Sequence, residues 1–308
     1  MSKNEIHKPD FFIVGAPKSG TTSLYYYLSQ HKNIFLPPKE LYYFGEDFTY
    51  INGKLTLKHY LSYFRDAKKN QKKGEASVWY LYSKNAAAEI KAFNPAAKII
   101  IMLRQPTDMI YSLHQHQLFN GNEDITDFKA ALQAQAERAN GKKIPVNLGC
   151  PIEGLQYQKV GKYYDQVKHY LNIFGSENVH IIWFDDFKND VKVEYKKVCT
   201  FLNIAPLKTI DLSIKNKSQK ARSKKLTKIL RHKPARLVSL VKIILPNRTL
   251  RHKVLNLFWK LNSIESKRTN LSKTLEQHLN LFFTNDIEKL EKLTKKDLTN
   301  WKNRQQLI

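Results

Sequence analysis

A chain of 308 residues can bury one substantial core, or a core with a smaller lobe. Its 52 Lys and Arg against 27 Asp and Glu give a net charge of +25. The two cysteines, Cys150 and Cys199, lie far apart without metal-ligand spacing, which argues against a disulfide framework or a structural zinc site and fits a reducing compartment. The opening residues MSKNEIHKPD lack the apolar stretch of a signal peptide, and no apolar run approaches the ~20 residues needed to span a bilayer. A cytoplasmic location is therefore expected.

In chain order, Phe11–Val14 (FFIV), Lys98–Leu103 (KIIIML) and Val179–Trp183 (VHIIW) read as strands, each a short apolar or β-branched run bounded by polar or turn residues. Helical patterns cover Thr22–Gln30, Tyr82–Phe93, Pro106–Phe119, Ile125–Asn140, Tyr157–Phe174, Lys192–Leu202 and Leu271–Leu298. Gly45–Asn52 and Gly141–Gly154 read as loops. The first two strands run at once into a turn and a helical pattern. That alternation predicts an α/β fold, a P-loop-like parallel sheet with helices on both faces. A single domain is expected over residues 1–308, with a flexible start at 1–9, a basic helical segment at 212–264 and a C-terminal helical part at 265–308. The stretch Leu212–Ile264 holds 15 Lys or Arg and no acidic residue, and Pro234 and Pro246 divide it into two or three short helices.

The loop Gly15-Ala16-Pro17-Lys18-Ser19-Gly20 follows the first strand, and Thr21, Thr22 and Ser23 open the next helix. Backbone amides, the positive end of the helix dipole and three hydroxyls converge there, as a phosphate-like anion requires. A nucleotide-hydrolysing loop would carry lysine directly after the second glycine; here Thr21 stands after Gly20 and the lysine is Lys18. An ammonium inside the loop can reach a bridging oxygen on which charge develops as a group leaves, which suits group transfer.

These residues resemble a known family. PKSGTTSL at Pro17–Leu24 is similar to the 5′-phosphosulfate loop of sulfotransferases that use 3′-phosphoadenosine 5′-phosphosulfate (PAPS). LPPKELYYFGE (Leu36–Glu46), GEASVWYLYS (Gly74–Ser83), IIIMLRQPTDMIYSLHQHQ (Ile99–Gln117), GKYYDQVKHYLNIFGSENVHIIWFDDF (Gly161–Phe187), KNKSQKARSKKL (Lys215–Leu226) and NDIEKLEKLTKKDLTNW (Asn285–Trp301) continue the resemblance in order, toward the bacterial and heparan-sulfate-type branches. It implies that Pro17, Lys18, Ser19, Gly20, Thr21, Thr22 and Ser23 hold the 5′-phosphosulfate and that Arg104 and Ser112 hold the 3′-phosphate. It also implies that Lys217, Ser218 and Arg222 close over that phosphate and that Glu40 is the catalytic base. The product would be adenosine 3′,5′-bisphosphate, with no metal. Ala76 stands where heparan-type members often carry lysine, a departure that favours a bacterial-type relative.

Taken as residues, Glu40 could be a solvated loop carboxylate or pair with Lys39, and Arg104 could form an ion pair with Asp108. Glu46, His114 and His116 remain alternative bases or contacts. The expected acceptor is a hydroxyl, on a carbohydrate, glycolipid or lipid-linked glycan, and no nucleic acid is expected. A P-loop kinase or NTPase is the rival enzyme class; it lacks here the lysine after Gly20 and an evident magnesium carboxylate ending an apolar strand. A non-enzymatic basic module for acidic glycans or nucleic acid is the other rival. The basic stretch alternates cationic and apolar residues at helical spacing. It therefore either packs on the domain or lies on an anionic membrane surface.

Overall fold

The computed structural model describes residues 8–48, 55–146, 148–213, 219–223, 226–227, 241, 243–244, 247–265 and 271–302. Two compact units result, one built from residues 1–110, 158–216 and 272–308, the other from residues 111–157 and 217–271.

The first unit holds a parallel sheet of β1 (Phe11–Gly15), β2 (Ile34–Phe35), β3 (Lys72–Ala76), β4 (Lys98–Leu103) and β5 (Val179–Trp183), in the order β2-β3-β1-β4-β5. β1 is central because every one of its residues is buried, and Phe11 lies opposite both Gly74 of β3 and Lys98 of β4. Around the sheet lie α1 (Thr21–Ser29), α2 (Leu57–Ser62), α3 (Ala86–Phe93) and the start of α4 (Pro106–Asn120). The second unit takes in the rest of α4, with α5 (Phe128–Gln133) and α6 (Gln135–Ala139). After α7 (Tyr157–Val160), the chain returns to the first unit as α8 (Tyr164–Phe174), α9 (Phe184–Asn189) and α10 (Val191–Phe201), and later as the helix Lys273–Thr294. The core between sheet and helices is apolar throughout, with Ile13, Leu24, Leu28, Ile100, Met102, Ile182 and Val198 buried together.

The three expected strands form, the expected helices form with shifted ends except that Ile125–Asn140 and Tyr157–Phe174 each divide in two, and the α/β parallel architecture is the observed one. Two strands were not expected: β2 has only two residues, and β3 (KKGEA) has no apolar run. The helix expected from Tyr82 begins at Ala86, because Ser83 Oγ accepts the Ala86 amide at 2.9 Å and caps it there. The pattern Tyr157–Phe174 is broken. Gly161 lies where a Cβ would meet the Phe283 ring at 2.8 Å, and Asp286 accepts the Tyr163 amide at 2.7 Å.

In the second unit a wholly buried ion pair anchors α6. Arg138 donates to both carboxylate oxygens of Glu123 at 2.7 and 2.6 Å, and Tyr157 adds a third donor at 2.8 Å. β6 (Gln219–Ala221), within the segment expected to form the phosphate-closing loop, and β7 (Ser263–Glu265), at the end of the basic stretch, form an antiparallel pair that was not expected. The helix Arg248–Asn262 follows Pro246 directly; Pro234 and Pro246 themselves lie outside the described residues.

Candidate active site

Because β1 and β4 are adjacent and parallel, the turns leaving both emerge at the same carboxyl edge of the sheet, where open α/β sheets take their ligands. The Ala16 amide donates to Met102 O at 2.6 Å and fastens the first turn to β4. Gly20 caps α1 with φ 96°, a left-handed conformation, and its α-carbon faces Met102 and Phe184 at distances that would crowd a Cβ to 3.2–3.3 Å. Glycine brings no capping side chain, so no side chain of the cap residue occupies the amides at the start of α1. Pro17, Ser19 and Thr21 are buried, while Lys18, Gly20, Thr22 and Ser23 are partly exposed around them.

Lys18 and Glu40 both occupy the left-handed region, at φ 59° and 65°. Such a conformation costs a non-glycine residue on the order of 1 kcal/mol or more and persists only where the surroundings impose it. For Glu40 the imposing contacts are visible. Its amide donates to Ala76 O at 2.9 Å, and its Oε2 accepts the Val78 amide at 3.1 Å, which stitches residue 40 to the end of β3.

Lys39 joins this carboxylate to the loop helix. Its Nζ donates to Thr22 Oγ1 at 2.9 Å and to Thr21 Oγ1 at 3.4 Å, and it lies 3.8 Å from Glu40 Oε1. Its side chain is 16% exposed and passes 5.8 Å from the Tyr25 ring centroid, while Tyr25 holds the segment by donating to Pro37 O at 2.7 Å. Burial pushes the Lys39 ammonium below its ordinary pKa, against the pull of Glu40. Burial pushes the Glu40 carboxyl up, with Lys39 pulling it down. Sequence reasoning had treated Lys39 only as a neutralising neighbour. The signal available was a lysine fixed between prolines and a run of tyrosines.

Behind Glu40, Glu75 is fully buried in β3 and accepts hydrogen bonds from Tyr60, from Ser77 at 2.8 Å and from Tyr80 at 2.7 Å. Desolvation raises its pKa to about 7 despite those donors. Tyr80 and Ser77 in turn accept the amides of Phe44 and Tyr42, so this cluster moors the segment that follows Glu40.

Arg104 ends β4. The Asp108 ion pair forms at 3.2 Å through one terminal nitrogen, and the guanidinium lies 4.8 Å from the Phe184 ring centroid. Its Nε is buried without a hydrogen-bond partner among the described residues, a donor turned toward the strand end with bonding capacity in hand. The flanking residues are fixed by the C-terminal helix, since Gln105 and Thr107 both donate to Asn280 Oδ1, at 2.9 and 2.7 Å.

Ser112 is buried on α4, in the second unit. His116, the second histidine of the matched segment, is exposed and pairs with Asn120 at 2.9 Å on its own helix. His114 is buried, bonded to Ile125 O at 2.9 Å, and burial lowers its pKa. Glu46 is exposed. Arg222 is exposed, with its amide bonded to Asn262 O at 2.7 Å. Lys217 and Ser218 lie outside the described residues.

Comparison with known proteins places the chain in a family. The family model described as "Sulfotransferase domain" matches residues 8–239. The chain is 28% identical over 211 residues to the bifunctional heparan sulfate N-deacetylase/N-sulfotransferase 4 of Mus musculus, covering 65% of this chain and 23% of that protein. It is 25% identical over 264 residues to carbohydrate sulfotransferase 15 of Homo sapiens, covering 68% of this chain and 46% of that protein. It therefore spans less than half the length of these relatives. The crystal structure of a sulfotransferase from Alicyclobacillus acidocaldarius superposes with a TM-score of 0.72 at 27% identity, covering 96% of this chain and 99% of that one. A match over three quarters of the chain, on a sheet whose strand ends carry the anion loop, the moored carboxylate and Arg104, makes the chain a member of the sulfotransferase domain family.

Proposed function

We propose that the chain transfers a sulfuryl group from PAPS to an acceptor hydroxyl, with a glycan or glycolipid as acceptor class. One observation carries the reading: Lys39 contacts Thr22 and Glu40 at once, so a base candidate stands beside the anion-binding start of α1. The residues present fit a donor with two separate anionic groups. The amides and hydroxyls of Lys18–Ser23 suit a phosphosulfate, and the Nε of Arg104, unpaired among the described residues, suits a second phosphate. Bound there, PAPS supplies an activated sulfuryl group.

In this reading Glu40 takes the proton from the acceptor hydroxyl, and its raised pKa matches that task. Lys18 stabilises the charge that develops on the departing bridging oxygen. Lys39 supplies, from the residue before Glu40, the cation that Ala76 does not, and it holds the carboxylate toward the loop. Catalysis is then mostly positioning and charge stabilisation. The names of the relatives, heparan sulfate and carbohydrate sulfotransferases, support the glycan class.

The test is calorimetric titration with adenosine 3′,5′-bisphosphate, followed by radiolabelled sulfuryl transfer from PAPS in chelator. Saturable micromolar binding and chelator-resistant transfer are expected. Absent binding, together with magnesium-dependent ATP hydrolysis, would return the chain to the nucleotide-hydrolase class.

A further inference from the structure

The stretch 212–264, with 15 basic residues and no acidic one, has a second property that only the folded chain reveals. Ile243, Ile244, Leu250, Leu257, Phe258 and Leu261 are between 45% and 76% exposed. On the helix Arg248–Asn262, Leu250, Leu257, Phe258 and Leu261 stand at i, i+7, i+8 and i+11, and the partly exposed Val254 fills i+4. That spacing draws one apolar stripe along the helix, the kind a globular protein turns into its core. Here the stripe is turned out. The side that docks is marked by Asn262, which is buried, donates to Ser223 O at 3.2 Å and to Thr227 Oγ1 at 2.9 Å, and accepts the Arg222 amide through its carbonyl.

Whatever covers the stripe must be apolar where it meets it and must suit a stretch whose sequence carries 15 cations and no acid. A second copy of this chain meets the first condition and fails the second, because a self-complementary contact would press two acid-free basic stretches together. An anionic lipid leaflet meets both. Acyl chains accept the Leu and Phe side chains, and headgroups attract the net positive charge of the stretch. No helix among the described residues is long and apolar enough to cross a membrane, so the contact would be peripheral.

We propose that this surface docks the protein on an anionic membrane, with the stripe Leu250–Leu261 seated at the level of the acyl chains. The surface stands on exposure and charge alone and does not depend on the reading of the active site. Where that reading holds, docking brings the enzyme to acceptors carried on lipids.

The experiment is vesicle flotation of the full chain, with phosphatidylcholine alone or mixed with phosphatidylglycerol, at low and high salt. The expected result is at least a roughly tenfold larger bound fraction on anionic vesicles, falling as salt screens the cations. A Leu257→Ser/Phe258→Ser double variant should release the protein from anionic vesicles while its melting temperature stays unchanged; an Ile243→Ser/Ile244→Ser variant is the second probe should the first misfold. Negligible flotation with both lipids overturns the proposal. So does anionic binding indifferent to both double variants, and so does a concentration-dependent dimer that either variant dissociates.

Discussion

Lys18 and Glu40 are two charged residues in the left-handed region, held there by the loop and by the end of β3. In the proposed function these two conformations aim the reacting groups, and each side chain then has a distinct expected phenotype. Replacing Lys18 by Ala should leave adenosine 3′,5′-bisphosphate binding largely intact and lower kcat by roughly 10²–10³, the range for losing one preorganised transition-state donor. Equal losses in binding and turnover would remove that role. Glu40→Gln should abolish transfer with donor affinity kept, whereas Glu46→Gln should stay near wild type. Lys39 adds a test through pH. Its charge pulls the Glu40 carboxyl down, so Lys39→Met lets that pKa rise, and the acidic limb of the kcat/KM profile should move to higher pH. A profile that merely scales down would make Lys39 structural. The turn at PKSGTTSL was legible because an apolar run followed by spaced glycines states a strand-turn-helix, which β1 and α1 form. The placement of Lys39 was not, because its reach to Thr22 depends on a fold between residues 22 and 39 that no local pattern encodes.

Among elements, β1, β4 and β5 were legible as apolar runs because strands buried on both faces have no other sequence to choose from. β3 was hidden because its buried positions are a glycine, an alanine and a carboxylate, and Gly74 leaves room for the Phe11 ring, which a Cβ would meet at 2.2 Å. Helix ends were misplaced where a side chain distant in sequence does the capping, as Asp286 does for Tyr163. The turn from β4 into α4 carries its own prediction. Arg104→Ala should weaken adenosine 3′,5′-bisphosphate by an order of magnitude or more, since a charged hydrogen bond is worth about 1.5–3 kcal/mol. Adenosine 5′-monophosphate, which lacks the 3′-phosphate, should lose far less. Equal losses for the two nucleotides would place the 3′-phosphate on other residues.

At the scale of the whole molecule, Glu75 makes stability depend on pH. Its folded pKa of about 7 stands above its ordinary 4.5, so its contribution is complete below about 4.5 and is lost as pH rises toward 7. The swing is roughly 3 kcal/mol. Melting temperature measured across that window should fall with rising pH in the wild type and flatten in Glu75→Gln; an unchanged slope would show that the carboxyl ionises freely in the fold. The helix Lys273–Thr294 and Trp301 bury Leu279, Phe283, Ile287, Leu290 and the indole itself, and Trp301 donates to Asp185 at 2.8 Å just beyond β5. Five such side chains at about 1.5–3 kcal/mol each rival the full stability of a typical domain, about 5–15 kcal/mol. A chain cut after residue 239, where the family match ends, should therefore be insoluble or proteolysed at once, while the full chain resists. The same closure sets a schedule at the ribosome. Trp301 emerges nearly 290 residues after β1, so at about 5–20 residues per second the central strand waits roughly 15–60 s for the helix that completes its unit. The yield of this protein in a cell should accordingly follow the supply of chaperones that shield nascent apolar strands, and a slower host should lose more of it to aggregation.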